Sequence, residues 1–122
     1  MRRILIVDDE VGIRETLRDL FEDEGFEVDV AADGEEGLAT LRTRGPHALM
    51  ILDLLMPNMD GAELLRRVRA DPELAATPVI MSTSHPAVAP PGILLIRKPV
   101  DVNVLINTVH GLLGADPAQR LH

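Results

Sequence analysis

Four hydrophobic runs of this 122-residue chain each lead into side chains that could take part in metal or phosphoryl chemistry. Asp8 and Asp9 follow the first run, and Asp53 ends the second. Thr83 follows the third run, and Lys98 follows the fourth. Carboxylates are the hard oxygen ligands that suit Mg²⁺, while a hydroxyl and an amine can contact phosphoryl oxygens. These residue types predict a site for a divalent cation and a phosphoryl group.

Each of these residues also has an ordinary structural explanation. The acid pair could cap a first helix, and Asp53 could open a turn at Met56-Pro57. Thr83 would then be a plain strand-end residue, and Lys98 would be a solvated surface charge. Coincidence is a poor explanation for four such features at four strand ends, so the site is the favoured interpretation.

The elements that must position these side chains follow from the hydrophobic pattern. Short continuous apolar runs over 4–7, 48–52, 79–81 and 93–96 are typical of strands in a parallel sheet covered on both faces. Residues 26–30 alternate instead, which predicts an edge strand with one face partly wet. Helical patterns fill the intervals, so we predict a doubly wound five-stranded α/β fold with helices on both faces. Functional residues of such a sheet gather where the strands end.

Three acids mark the predicted beginnings of helices. Asp33 and Asp60 each precede a glutamate by three residues, which is the spacing of a capping box. Asp101 is predicted to cap the last helix. No repeat or linker is present, so we expect one domain over 1–114 and a frayed tail over 115–122.

Composition limits the function. Hydrophobic residues make up 46% and charged residues 26%, as in a folded soluble domain. The net charge of −8 argues against nucleic acid or anionic membrane as a partner. The absence of cysteine excludes disulfides and thiol catalysis. No apolar stretch approaches membrane-spanning length, and the first run ends in acids that a signal peptide would not carry, so we expect a cytoplasmic protein.

The motifs together resemble a known family. They are Val7-Asp8-Asp9-Glu10, Asp53 with Met56-Pro57 and Asp60-Gly61, Thr83, and Lys98-Pro99. With these motifs the chain resembles the receiver domains of two-component response regulators over nearly its whole length. The resemblance implies the flavodoxin-like strand order 2-1-3-4-5 and a cis Lys98-Pro99 bond.

The resemblance also implies a function. Asp53 would be the phosphoacceptor, taking a phosphoryl group from a histidine of a sensor histidine kinase or a histidine phosphotransfer protein. The domain would then change conformation to control an output protein, and it would not be an enzyme acting on other substrates. A carboxylate suits this role because phosphoryl transfer depends mostly on positioning and charge neutralisation.

Further roles carried over from the family concern the residues around the phosphoacceptor. Asp9, Asp53 and the backbone carbonyl of Leu55 would bind Mg²⁺ or Mn²⁺ directly, with Asp8 assisting mainly through water. Lys98 would pair with the phosphoryl oxygens. Thr83 would move to hydrogen-bond one of them.

The chain departs from the family pattern after the fourth strand. Only fourteen residues separate Thr83 from Lys98, about seven fewer than usual, and they include three prolines. We therefore predict that the fourth crossover helix is shortened or absent and that residues 84–92 form an irregular or barely helical connection. Leu95 replaces the usual aromatic residue of the fifth strand. Leu94 or Ile96 would be left bare, which favours self-association as a homodimer or binding of a dedicated partner.

Other functions stay open at this point. A receiver-like adaptor could work without phosphorylation. An Mg²⁺-dependent phosphohydrolase with an aspartyl nucleophile typically needs a second acid where this chain has Leu55. Nucleotide or flavin binding would need a glycine-rich loop after the first strand. His85 could either cover the predicted pocket or be an exposed loop residue, whereas His47 is interpreted as an ordinary polar residue.

Overall fold

The computed structural model describes residues 2–114. One parallel sheet has the order β2-β1-β3-β4-β5, with strands β1 Arg3–Val7, β2 Glu27–Ala31, β3 Leu49–Asp53, β4 Val79–Thr83 and β5 Leu94–Arg97. The α-helices of this part of the chain are α1 Val11–Asp23, α2 Gly34–Arg44, α3 Gly61–Ala70 and α4 Val102–Leu113. The predicted doubly wound fold and strand order are confirmed. The tail predicted over 115–122 lies outside the described residues.

Side-chain alternation along each strand feeds two separate cores. In β1, Leu5 and Val7 join the core beneath α2 and α3, whereas Ile4 and Ile6 join the core beneath α1 and α4. The central strand β3 is buried along its whole length. The sheet is therefore a covered layer that fixes the positions of its strand ends.

The predicted helix caps are present. Asp33 Oδ1 accepts a hydrogen bond from the Glu36 amide at 2.9 Å, and Asp60 Oδ1 accepts one from the Glu63 amide at 2.9 Å. Asp101 accepts from two first-turn amides of α4. These bonds satisfy amides that have no partner within the helix. The strongest local signals in the sequence therefore fix three helix beginnings.

The edge strand β2 has a polar anchor that the sequence did not indicate. His47, interpreted as an ordinary polar residue, is buried, with Nε2 2.8 Å from Asp29 Oδ2. Arg3 and Arg44 also donate to Asp29. Although burial alone would raise it, these hydrogen bonds hold the pKa of Asp29 below its usual value. The network joins β2 to β1, to the end of α2 and to the residues before β3.

The connection between β4 and β5 contains only a 3₁₀ turn, Pro86–Val88, which confirms the prediction for residues 84–92. Leu94 is exposed, as predicted. The prediction that Ile96 would be bare is wrong, since it is buried with Leu105 and Val109. Ile96 lies on the face covered by α4, whereas Ile93, Leu95 and, from the shortened connection, Ala89 pack against the core on the opposite face. Within residues 2–114, no helix has the length and apolar character needed to cross a bilayer.

Candidate functional site

Three carboxylates meet where β1 and β3 end. Val7 pairs with Leu52, so the residues that follow them, Asp8 and Asp53, lie at the same edge of the sheet. One oxygen from each of Asp8, Asp9 and Asp53 can be chosen so that all three lie within 4.8 Å of one another. Such spacing lets a single hard cation contact more than one of them. The convergence expected from strand adjacency is present.

The loop that carries the acid pair is held by its own hydrogen bonds. Asp8 is buried, and its Oδ1 accepts from the Glu10 amide at 2.9 Å. This bond orients the loop before α1, and α1 itself has no side-chain cap. Arg14, which the sequence reasoning missed, donates from Nη1 to the Asp8 carbonyl at 2.6 Å. Asp9 is exposed and faces the opening of the site.

Lys98 reaches into the acid cluster from the end of β5. Its Nζ lies 3.3 Å from Asp8 Oδ2 and 3.2 Å from Asp53 Oδ2. The backbone amide of Lys98 donates to the Thr83 carbonyl at 2.9 Å, and the Lys98-Pro99 bond is cis, as predicted. Although burial opposes it, the negative charges of Asp8 and Asp53 raise the pKa of the Lys98 amine. The amine is therefore firmly cationic beside Asp53.

One cation does not balance three acids. Burial raises the pKa of the Asp53 carboxyl to about 6, and repulsion from Asp8 adds to the effect. Attraction to Lys98 lowers this pKa without cancelling the rise. An ionised Asp53 is thus destabilised by its surroundings, and additional positive charge in the site would relieve it. The donor set and its charge fit a divalent cation.

Thr83 ends β4 beside the acids and is buried. Its hydroxyl oxygen accepts a hydrogen bond from the His85 amide at 2.8 Å, which ties the site to the start of the irregular connection. The His85 side chain is exposed, and Ser84 rather than His85 lines the site. His85 thus fits the exposed-loop interpretation. Every sequence-predicted residue except Asp8 lines an open pocket of about 220 Å³, formed by Asp9, Glu10, Asp53, Leu55, Thr83, Ser84 and Lys98.

The beginning of α3 is packed directly on the backbone of Asp53. The Gly61 amide donates to the Leu54 carbonyl at 2.8 Å. A Cβ atom at Gly61 would lie 2.4 Å from the Asp53 carbonyl oxygen, so only glycine allows this approach. The position of Asp53 is therefore coupled to the first turn of α3.

An apolar groove adjoins the acid pocket. It has a volume of about 460 Å³ and is lined by Glu10, Gly12, Ile13, Thr16, Leu17, Lys98, Pro99, Val100 and Val102. Glu10 and Lys98 line both cavities. A molecule seated in the groove would lie beside the acid pocket that Asp53 lines.

The fold and these strand-end residues are those of a known domain class. A family model described as the response regulator receiver domain matches residues 4–110. The chain belongs to this family, whose domains act in two-component signalling.

Individual relatives agree with this assignment. The chain is 40% identical over 83 residues to response regulator Rre1 of Synechocystis sp., covering 67% of this chain and 36% of that protein. The chain spans less than two thirds of the length of these curated relatives.

Solved structures extend the similarity to the whole fold. Chemotaxis response regulator CheY4 of Vibrio cholerae has a TM-score of 0.82 at 31% identity, covering 93% of this chain and 99% of that one. Response regulator TrrA of Thermotoga maritima, solved in complex with Mg²⁺-BeF, has a TM-score of 0.81 at 32% identity. That match covers 93% of this chain and 100% of TrrA.

Proposed function

We propose that this chain is a phosphoacceptor switch that takes a phosphoryl group onto Asp53 from a phosphohistidine of a sensor kinase or phosphotransfer protein. The observation that carries the proposal is the position of the Lys98 amine, 3.2 Å from Asp53 Oδ2, within a cluster of three acids. A nucleophilic carboxylate needs positive charge around the incoming phosphoryl oxygens. Lys98 supplies part of that charge.

A divalent cation, if bound, would supply the remaining positive charge. Mg²⁺ would be held by Asp9, Asp53 and the Leu55 carbonyl, with Asp8 assisting mainly through water, and Mn²⁺ has compatible ligand chemistry. The bound cation would neutralise developing charge on the phosphoryl oxygens. Burial, together with repulsion from Asp8, raises the pKa of Asp53, and a bound cation would offset both effects, which supports this role. The Mg²⁺-BeF complex of TrrA is consistent with the same ligand class.

The phosphohistidine of the donor protein supplies the leaving group of the chemical step. An oxygen of ionised Asp53 forms a bond to phosphorus as the phosphorus–nitrogen bond of the phosphohistidine breaks. The leaving imidazole keeps the electron pair of that bond and takes a proton from solvent. Lys98 stays protonated throughout, because the acids around it raise the pKa of its amine. The product is an acyl phosphate on Asp53 and a neutral histidine.

The phosphodonor protein must bind next to the opening of the acid pocket. The apolar groove beside α1 meets this requirement because Glu10 and Lys98 line both the groove and the acid pocket. Exposed Val11 and Leu55 add apolar surface near the same opening. An apolar helix face of the phosphodonor, with its phosphohistidine pointing at Asp53, fits this arrangement.

The switch is proposed to run through the irregular connection after β4. Thr83 now accepts a hydrogen bond from the His85 amide. Rotation of the hydroxyl toward a phosphoryl oxygen would give up that bond and release the start of residues 84–92. Leu95 has no aromatic ring to follow the hydroxyl, so the loop itself carries the change to an output partner.

The proposal is tested by incubating the protein with acetyl phosphate and measuring intact mass, with Mg²⁺ and with a chelator. We expect one added phosphoryl group in Mg²⁺ only, no product for Asp53→Asn, and full reaction for the control Asp19→Asn on the exposed side of α1. Asp9→Asn should weaken Mg²⁺ binding more than Asp8→Asn. Failure of the wild-type protein to react would favour a phosphorylation-independent adaptor.

A further inference from the structure

A second polar cleft lies between α2 and α3, away from the phosphoacceptor. It has a volume of about 440 Å³ and is lined by Arg42, Arg66, Arg67, Ala70 and Asp71. The lining residues lie in the C-terminal halves of both helices, except Asp71, which directly follows α3. Asp53, in contrast, borders the N-terminus of α3. The two sites therefore occupy different ends of the helix pair.

The charge of this region opposes that of the protein. The cleft holds three arginines, Arg42, Arg66 and Arg67, against two acids, Asp71 in its lining and Glu63 paired with the α3 arginines. The remainder of the chain has nine basic and eighteen acidic residues. A surface excess of positive charge on a protein of net charge −8 is a local feature, and such features select oppositely charged partners.

The guanidinium groups of the cleft have donors to spare. Arg66 and Arg67 share one carboxylate, Glu63, at 2.6 and 2.8 Å, so two positive charges face a single negative one. Arg42 Nε approaches Asp71 Oδ2 only to 3.6 Å, and within residues 2–114 Arg42 donates no hydrogen bond. Each guanidinium carries five N–H donors. Most of the hydrogen-bonding capacity of the cleft therefore points to solvent.

Access to these donors is not restricted. The side chains of Arg42, Arg66 and Arg67 are 56%, 66% and 49% exposed. Glu63 holds the two α3 arginines side by side, which reduces the entropy that a ligand must remove from them. A carboxylate can accept two parallel hydrogen bonds from one guanidinium, and a peptide with adjacent acidic side chains can reach several.

We propose that this arginine cleft is a docking surface for an acidic segment of a protein partner. Nucleic acid is a poorer fit because the carboxylates of Glu63 and Asp71 interrupt the arginines and the chain carries a net charge of −8, which disfavours a long polyanion. A short acidic peptide segment needs only the contacts within the cleft. Binding is independent of the chemistry at Asp53, so the cleft is a separate recognition site.

The test is an NMR titration of the full chain with a hexaglutamate peptide at low salt. Amides of the C-terminal turns of α2 and α3 should shift, and the affinity should fall as salt screens the charges. Arg42→Gln should weaken binding about fivefold, as expected for the loss of one exposed charge-assisted contact. Arg18→Gln is the matched control, because it removes one arginine charge from α1, where Arg18 pairs with Glu15. Asp53→Asn should bind the peptide like the wild type, which separates this result from the phosphorylation experiment.

Several outcomes would overturn the proposal. These are the absence of shifts at millimolar peptide, equal binding of hexaglutamine, and equal weakening by Arg18→Gln and Arg42→Gln. Full competition by inorganic phosphate would instead identify a small-anion site. Tighter binding of a single-stranded oligonucleotide than of hexaglutamate would identify a nucleic-acid surface.

Discussion

Replacing Asp53 by asparagine should stabilise the folded protein. Burial and the neighbouring acids raise the pKa of the Asp53 carboxyl from its ordinary 3.8 to about 6. Ionised Asp53 is therefore less favourable in the folded protein than in the unfolded chain. The cost is fully present above about pH 6, decreases as pH falls through that value, and vanishes below pH 3.8.

The magnitude follows from the same pKa difference. A rise from 3.8 to about 6 corresponds to about 3 kcal/mol of folding free energy at pH 7.5 and about 1.5 kcal/mol at pH 5. Asparagine keeps the shape of the side chain and removes its charge. Lys98 keeps Asp8 as an ion-pair partner at 3.3 Å, so the substitution does not leave a buried cation without a counter-charge. Asp53→Asn should thus gain up to about 3 kcal/mol at pH 7.5 and about half as much at pH 5.

The assay is urea unfolding of the wild type and Asp53→Asn at both pH values in the presence of a chelator. The control is Asp19→Asn, which changes an exposed acid on α1 and should alter the unfolding free energy by less than about 0.5 kcal/mol. Added Mg²⁺ should stabilise the wild type and shrink the difference, because ligand binding to the folded state adds to its stability. A loss of stability in Asp53→Asn at pH 7.5, or a gain that does not shrink at pH 5, would refute this account of the site's electrostatics.

Three further predictions concern the elements around the site. Gly61→Ala should displace the start of α3 and destabilise the fold by more than about 1 kcal/mol in urea unfolding, because the new Cβ would lie 2.4 Å from the Asp53 carbonyl oxygen; an unchanged midpoint would contradict the close packing. Asp33→Ala should lower the free energy of unfolding by about 1 kcal/mol, because it removes the cap of α2, and equal stability would show that this cap contributes nothing. Thr83→Val removes the hydroxyl that accepts a hydrogen bond from the His85 amide, so amide hydrogen exchange in residues 84–92 should become faster. Unchanged exchange there would show that the Thr83 hydroxyl does not hold the loop.

Local signals predicted the features that depend on neighbours in sequence. Continuous apolar runs located the covered strands to within one or two residues, and the acids at Asp33, Asp60 and Asp101 located helix beginnings. The acids, the hydroxyl and the lysine were expected at one edge of the sheet because each follows a strand and parallel strands end at the same edge. The strand order itself came from the resemblance to receiver domains, since periodicity does not specify which strands are neighbours.

Features that depend on long-range contacts were not predictable. Ile96 is covered because it packs with Leu105 and Val109 of α4, whereas Leu94, two residues earlier on the same face of β5, stays exposed; this difference needs the final packing. His47 gains its role only when β2 brings Asp29 next to it, and an isolated histidine gives no sign of that partner. Arg14 contacts the Asp8 carbonyl through a turn whose geometry the sequence does not reveal. The arginine cleft likewise forms only when the ends of α2 and α3 pack side by side.

The most direct test of phosphoryl transfer to Asp53 is to locate the residue that becomes modified. The protein is phosphorylated with acetyl phosphate and Mg²⁺, reduced with borohydride, and sequenced by tandem mass spectrometry, since borohydride converts an aspartyl phosphate into homoserine. We predict homoserine at position 53, and none there when Mg²⁺ is withheld. Homoserine at Asp8, Asp9 or another acid, or a phosphoryl group stable to borohydride, would contradict the assignment of Asp53 as the phosphoacceptor.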